Sequence, residues 1–168
     1  TGLFVPLAAD FSDVAMAGPE SAYAVGQAGV IAHWDGTAWS RIESPTEASL
    51  LAVDISSPTA GWAVGDGGVI LRFDGRTWRR SDRPTAQSLH AVVSIGDDTA
   101  WAVGDGGVIV RYAEGAWSLV DSPTSASLRG LAFADAAHGA AVGTTGTLLR
   151  YAEGAWTAER ALGTATLN

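Results

Sequence analysis

Cysteine is absent from these 168 residues, and with it any disulfide framework, thiolate metal site or cysteine nucleophile. Lysine is absent too: all ten basic residues are arginine, against 18 acidic ones, for a formal charge of −8 and a pI near 4.6. Such a chain lacks the positive field that phosphates and anionic lipids need, which argues against nucleic acid and membrane surfaces as partners. No apolar run reaches the roughly 18 residues of a membrane helix, so no membrane insertion is expected. The opening TGLFVPLAAD carries no basic n-region and does not read as a signal peptide. What is abundant excludes other classes. A hydrophobic content of 47% with seven Trp rules out disorder, and the 21 Gly do not fall at every third residue as collagen requires. A chain of this length buries roughly 70% of its unfolded surface, enough for a core without staples.

Internal repetition dominates the sequence. WAVGDGGVI occurs at 62–70 and again, letter for letter, at 101–109, an offset of 39. The same step reaches YAVGQAGVI from Tyr23 and AAVGTTGTL from Ala140. Gly26, Gly65, Gly104 and Gly143 share one register, Trp39, Trp78, Trp117 and Trp156 another, and Pro6, Pro45, Pro84 and Pro123 a third. Four copies of 39 leave a tail of 12 residues, TAERALGTATLN, and no insertion breaks the step.

Each copy reads as four short strands. In the second, LLAVDI, GWAVG, GVILRF and RTWRR are separated by SSPTAG, by Asp66-Gly67 and by Asp74-Gly75. Asp-Gly pairs favour two-residue type I′ hairpins. The continuous apolarity of WAVG and GVIL predicts strands buried on both faces. Four-stranded sheets of this kind, repeating about every 40 residues, describe an all-β propeller with four blades, near 11–41, 50–80, 89–119 and 128–158, in one domain over 1–168. A parallel β-helix is the competing fold, but hairpin turns do not suit it.

The pattern Leu-x-x-Val, then GWAVG-x-x-G-x-I-x-R-x-x-G-x-x-W, resembles the photosystem II assembly/stability-factor family of β-propellers. It is also similar to the wider group of bacterial neuraminidase (Asp-box) repeats. The Asp-boxes are degenerate: Arg72-Phe73-Asp74-Gly75-Arg76-Thr77-Trp78 lacks the hydroxyl residue before the acid, and Tyr-Ala-Glu-Gly-Ala-Trp at 112–117 and 151–156 shifts acid and Gly by one. The first resemblance implies a seven-bladed scaffold that engages a membrane-protein partner through a basic surface. This chain holds four copies and is acidic.

Candidate sites are read against the repeat. Trp39, Trp78, Trp117 and Trp156 are either sugar-stacking platforms, one per blade, or blade-packing residues, and packing is the favoured reading. Arg72, Arg111 and Arg150 recur at the 39-residue step, with no Arg at that position of the first copy. They could bind an anion, but bridging of neighbouring blades is favoured. Arg76, Arg79, Arg80 and Arg83 form a local basic cluster on the last strand of the second copy, either protecting a sheet edge or docking an acidic partner. Asp66 and Asp105 are read as turn residues rather than a calcium loop, and His33, His90 and His138 share no ligand spacing. No metal or cofactor is expected.

No GxSxG, phosphate loop or HExxH is present, and the Tyr112/Glu114 pair recurs as Tyr151/Glu153, so it reads as scaffold. The expected function is a non-catalytic scaffold for protein interaction, bacterial and secreted (extracellular or periplasmic). A multivalent glycan-binding lectin is the alternative, and a neuraminidase-class enzyme a distant third. Because the first residue falls just after a Trp register, the sequence looks like a cut through a tandem array. A homodimer closing an eight-bladed ring is expected, with Leu3-Phe4-Val5 the sole candidate for a spare strand.

Overall fold

A computed structural model describes residues 9–159. Pro6, Leu3-Phe4-Val5 and the last nine residues of the tail lie outside the described residues.

Strands follow the repeat. The first sheet holds β1 (Phe11–Gly18), β2 (Ser21–Gly26), β3 (Ile31–Trp34) and β4 (Trp39–Ile42). The second holds β5 (Leu50–Ser57), β6 (Ala60–Gly65), β7 (Ile70–Phe73) and β8 (Trp78–Arg80). The third holds β9 (Leu89–Ser94), β10 (Ala100–Gly104), β11 (Ile109–Ala113) and β12 (Ala116–Val120). The fourth holds β13 (Leu128–Asp135), β14 (His138–Gly143), β15 (Leu148–Ala152) and β16 (Ala155–Ala158). Each is an antiparallel meander pairing only chain neighbours, so the fold is an all-β propeller of four blades.

Turn chemistry differs from the expected placement. The turn after β6 is type I′, but its central pair is Gly67-Gly68 (φ 63° and 73°), closed by the Val69 N–H donating to the Asp66 carbonyl. Asp66 cannot be a central residue because its own N–H donates to the Ser49 carbonyl at 2.9 Å, fixing it as the corner. The same anchor recurs as Gln27 to Asp10, Asp105 to Ser88 and Thr144 to Ser127. It needs a glycine just before it: a Cβ on Gly104 would overlap the Ser88 carbonyl. At Asp74-Gly75 only Gly75 has positive φ, and the Asp74 carboxylate instead accepts from the Arg76 and Thr77 N–H groups across a four-residue loop. True two-residue type I′ turns occur at Glu114-Gly115 and Glu153-Gly154, which close Ala113 on Ala116 and Ala152 on Ala155.

Blades stack through their faces. The inner strands pack in series, β1 on β5, β5 on β9 and β9 on β13, while no comparable packing joins β13 to β1 among the described residues. The four blades therefore form an open arc. Burial reports the same order: β6 and β10 are buried along their whole length, whereas most of β14 is not.

Candidate functional site

The face each blade turns toward the next is its forward face, and the opposite one its rear face. Forward aromatics Tyr23, Trp62 and Trp101 meet the rear pairs Phe73–Trp78, Tyr112–Trp117 and Tyr151–Trp156. Trp62 lies 4.5 Å from Tyr112 and stands edge-on to Trp117 at 5.0 Å, an arrangement favoured by ring quadrupoles. Trp78, Trp117 and Trp156 are buried, and their indole N–H groups have no oxygen acceptor. Each sits edge-on to the preceding blade's forward ring, where a π face can meet an N–H. Trp39 alone of this register is exposed, at 42%. The rings of the other three are occupied by neighbouring blades, which leaves no face for a sugar.

The repeated arginines also lie in the joints. Arg72 donates to the Tyr112 hydroxyl at 2.7 Å, and its guanidinium lies 5.4 Å from the Trp62 and Tyr112 ring centroids. It thus bridges blades two and three through a phenol and two π faces. Arg111 lies 5.3 Å over Trp101. Arg150 is exposed and donates to Glu159 at 3.1 Å. In the first blade this register holds His33, stacked on Tyr23 at 4.6 Å.

The basic cluster separates onto two faces because neighbouring strand residues alternate. Arg79 points outward beside Asp74 at 3.4 Å, its side chain 75% exposed. Arg80 turns back to the first blade and donates to the Pro45 carbonyl at 2.8 Å and the Thr46 hydroxyl at 3.1 Å. Arg83 donates to the Gly67 carbonyl. Arg80 and Arg83 line a hollow of about 650 Å³ with Glu47, Asp66 and Asp82, and Arg76 lines a second of about 360 Å³ with Tyr23, His33, Glu43 and Trp78. Pro45 borders both, so three arginines share one rim at the joint of blades one and two.

One polar cluster escaped the sequence reading. His90 meets Asp105 at 2.8 Å, and Arg129 reaches His90 at 2.8 Å and Asp105 at 3.4 Å. The hydrogen bond from His90 and the nearby positive charge hold the Asp105 carboxyl below its usual range. The missed signal was register: His90 and Arg129 stand 39 residues apart on adjacent inner strands. His138 bonds Asp135 at 2.8 Å, and no group of three or more acidic or histidine residues placed to hold a metal occurs among the described residues.

No protein-family model matches the sequence, and no curated protein matches it. Solved structures do. YCF48 bound to a D1 peptide is similar at 20% identity and a TM-score of 0.73, over 91% of this chain and 55% of that one. YCF48 from Cyanidioschyzon merolae is similar at 20% identity and a TM-score of 0.67, over 94% of this chain and 61% of that one. The likeness is one of fold, and the chain spans less than two thirds of the length of either structure.

Proposed function

We propose that this chain is a non-catalytic propeller scaffold that docks an acidic protein segment along the rim between its first and second blades. The carrying observation is the convergence of Arg76, Arg80 and Arg83 on two adjoining hollows at one joint. The corresponding residues elsewhere are neutral apart from Arg41: Thr37, Gly115 and Gly154 match Arg76, while Ser44 and Ser122 match Arg83. A partner site on a repeat scaffold has to break the repeat, and this rim does. A peptide-bound YCF48 supports peptide docking as a use of the fold. Absence of catalysis is supported by the Tyr/Glu pairs, which recur with the blades instead of standing alone.

Arg80 and Arg83 hold the rim through backbone carbonyls, so Arg76 is the rim group to reverse. Fluorescence anisotropy with a labelled Glu-rich peptide should give saturable binding that weakens with salt, as exposed charge contacts do. Arg76→Glu should abolish it at an unchanged melting temperature. Equal binding of a neutral peptide, or of this variant, would refute the reading.

A further inference from the structure

The smaller hollow at the joint of blades one and two lies where the repeat is broken on both sides. In blades two, three and four an arginine, Arg72, Arg111 or Arg150, stands at the position that His33 takes in the first. At the second joint Arg72 crosses to the Tyr112 hydroxyl and lies over two rings. An imidazole reaches less far than a guanidinium, and Phe73, which holds the Tyr112 register, has no hydroxyl to receive one. His33 stays on its own blade, stacked on Tyr23 at 4.6 Å with its Nε2 2.9 Å from the Ser21 hydroxyl. From the second blade the hollow is bounded by Arg76, where the third and fourth carry Gly115 and Gly154.

We propose that this hollow seats one aromatic side chain of the acidic segment docked on the rim, an inference that rests on the docking reading above. The lining decides the class of side chain. Ile42 and Pro45, both half-buried, supply apolar wall, and Ile42 takes the place that Ser81 holds in the second blade. Glu43 and Arg76 line the same space with opposite charges, and neither makes an ion pair among the described residues. Any acid or base of the segment would face a like charge here, whereas an uncharged group would not. A ring gains what an aliphatic chain cannot: stacking on the His33 imidazole, and a π face for the Arg76 guanidinium. At about 360 Å³ the hollow lies at the small end of ligand pockets, which run from roughly 300 to 1,000 Å³, so it has room for one side chain rather than a larger ligand.

Fluorescence anisotropy should compare two labelled Glu-rich peptides that differ at one residue, Trp in the first and Ala in the second. The Trp peptide should bind about tenfold tighter. His33→Arg writes the residue of the other three blades into the first, narrowing the hollow and adding a positive charge. It should erase the Trp advantage at an unchanged melting temperature, whereas charge attraction alone would strengthen the binding of both peptides. In the unaltered protein, NMR should show nuclear Overhauser contacts between the peptide indole and the His33 imidazole, which tests the seat even where the variant folds poorly. Equal binding of the two peptides, a Trp advantage that persists in His33→Arg, or absence of those contacts would overturn the aromatic seat and leave the docking of an acidic segment standing. If neither peptide binds, the docking reading fails and the seat falls with it.

Discussion

At the scale of single residues, backbone conformation and ring packing decide most. Thr145 occupies the first central position of its type I′ turn at φ 57°, where Gly67 and Gly106 serve in blades two and three. A β-branched residue is costly in the left-handed region, by about 1–2 kcal/mol, part of which the extra freedom of an unfolded glycine offsets. Thr145→Gly should therefore stabilise the protein by about 0.5–1 kcal/mol, read as a rise in the thermal midpoint. Trp101 is the opposite case. It is 2% exposed and packs on Phe133, Tyr151 and Trp156, so Trp101→Ala should cost about 3–5 kcal/mol. A melting temperature unchanged by that substitution would contradict the burial.

Among the elements, the outer hairpins carry the acid sensitivity. Asp35 accepts from the Thr37 hydroxyl and the Ala38 and Thr37 N–H groups, which push its carboxyl down to about 2 from 3.8. Hydrogen bonds from the Thr77 and Arg76 N–H groups lower Asp74 in the same way. A folded value below the unfolded one gives stability that is complete above the unfolded pKa and is lost as pH falls through the folded one. Melting temperature should thus decline from about pH 4 toward pH 2, and Asp35→Asn should flatten the part due to the first hairpin. Strands and their spacing were legible in the sequence because apolar runs and glycines repeat at a fixed step. Turn positions were not, because the Asp66 N–H is claimed by Ser49, 17 residues earlier, a contact that local turn preference does not contain. The arginine cluster was visible as a run, but its division onto two faces needs the pleat and the Pro45 carbonyl of the blade before.

For the molecule as a whole, stability is a sum over neighbouring blades. The two central blades are buried on both sides and the fourth on one. Among the second strands of the blades, amide exchange should be slower in β6 and β10 than in β14, and equal protection of the three would contradict an open arc.

The bond between Arg72 and the Tyr112 hydroxyl has a further consequence, for folding. Two segments of this chain are identical over nine residues, so a blade could settle beside the wrong neighbour with its hairpins intact. What differs between joints is the pairing at the outer rim. Arg72 donates to the Tyr112 hydroxyl across its joint, Arg111 lies over Trp101 of its own blade, and the first blade holds His33, stacked on Tyr23, in the same register. A first blade docked on the third would bring His33, not an arginine, to the Tyr112 hydroxyl. The Arg72–Tyr112 bond thus marks one joint among near-copies, a distinction that the shared hairpins do not carry.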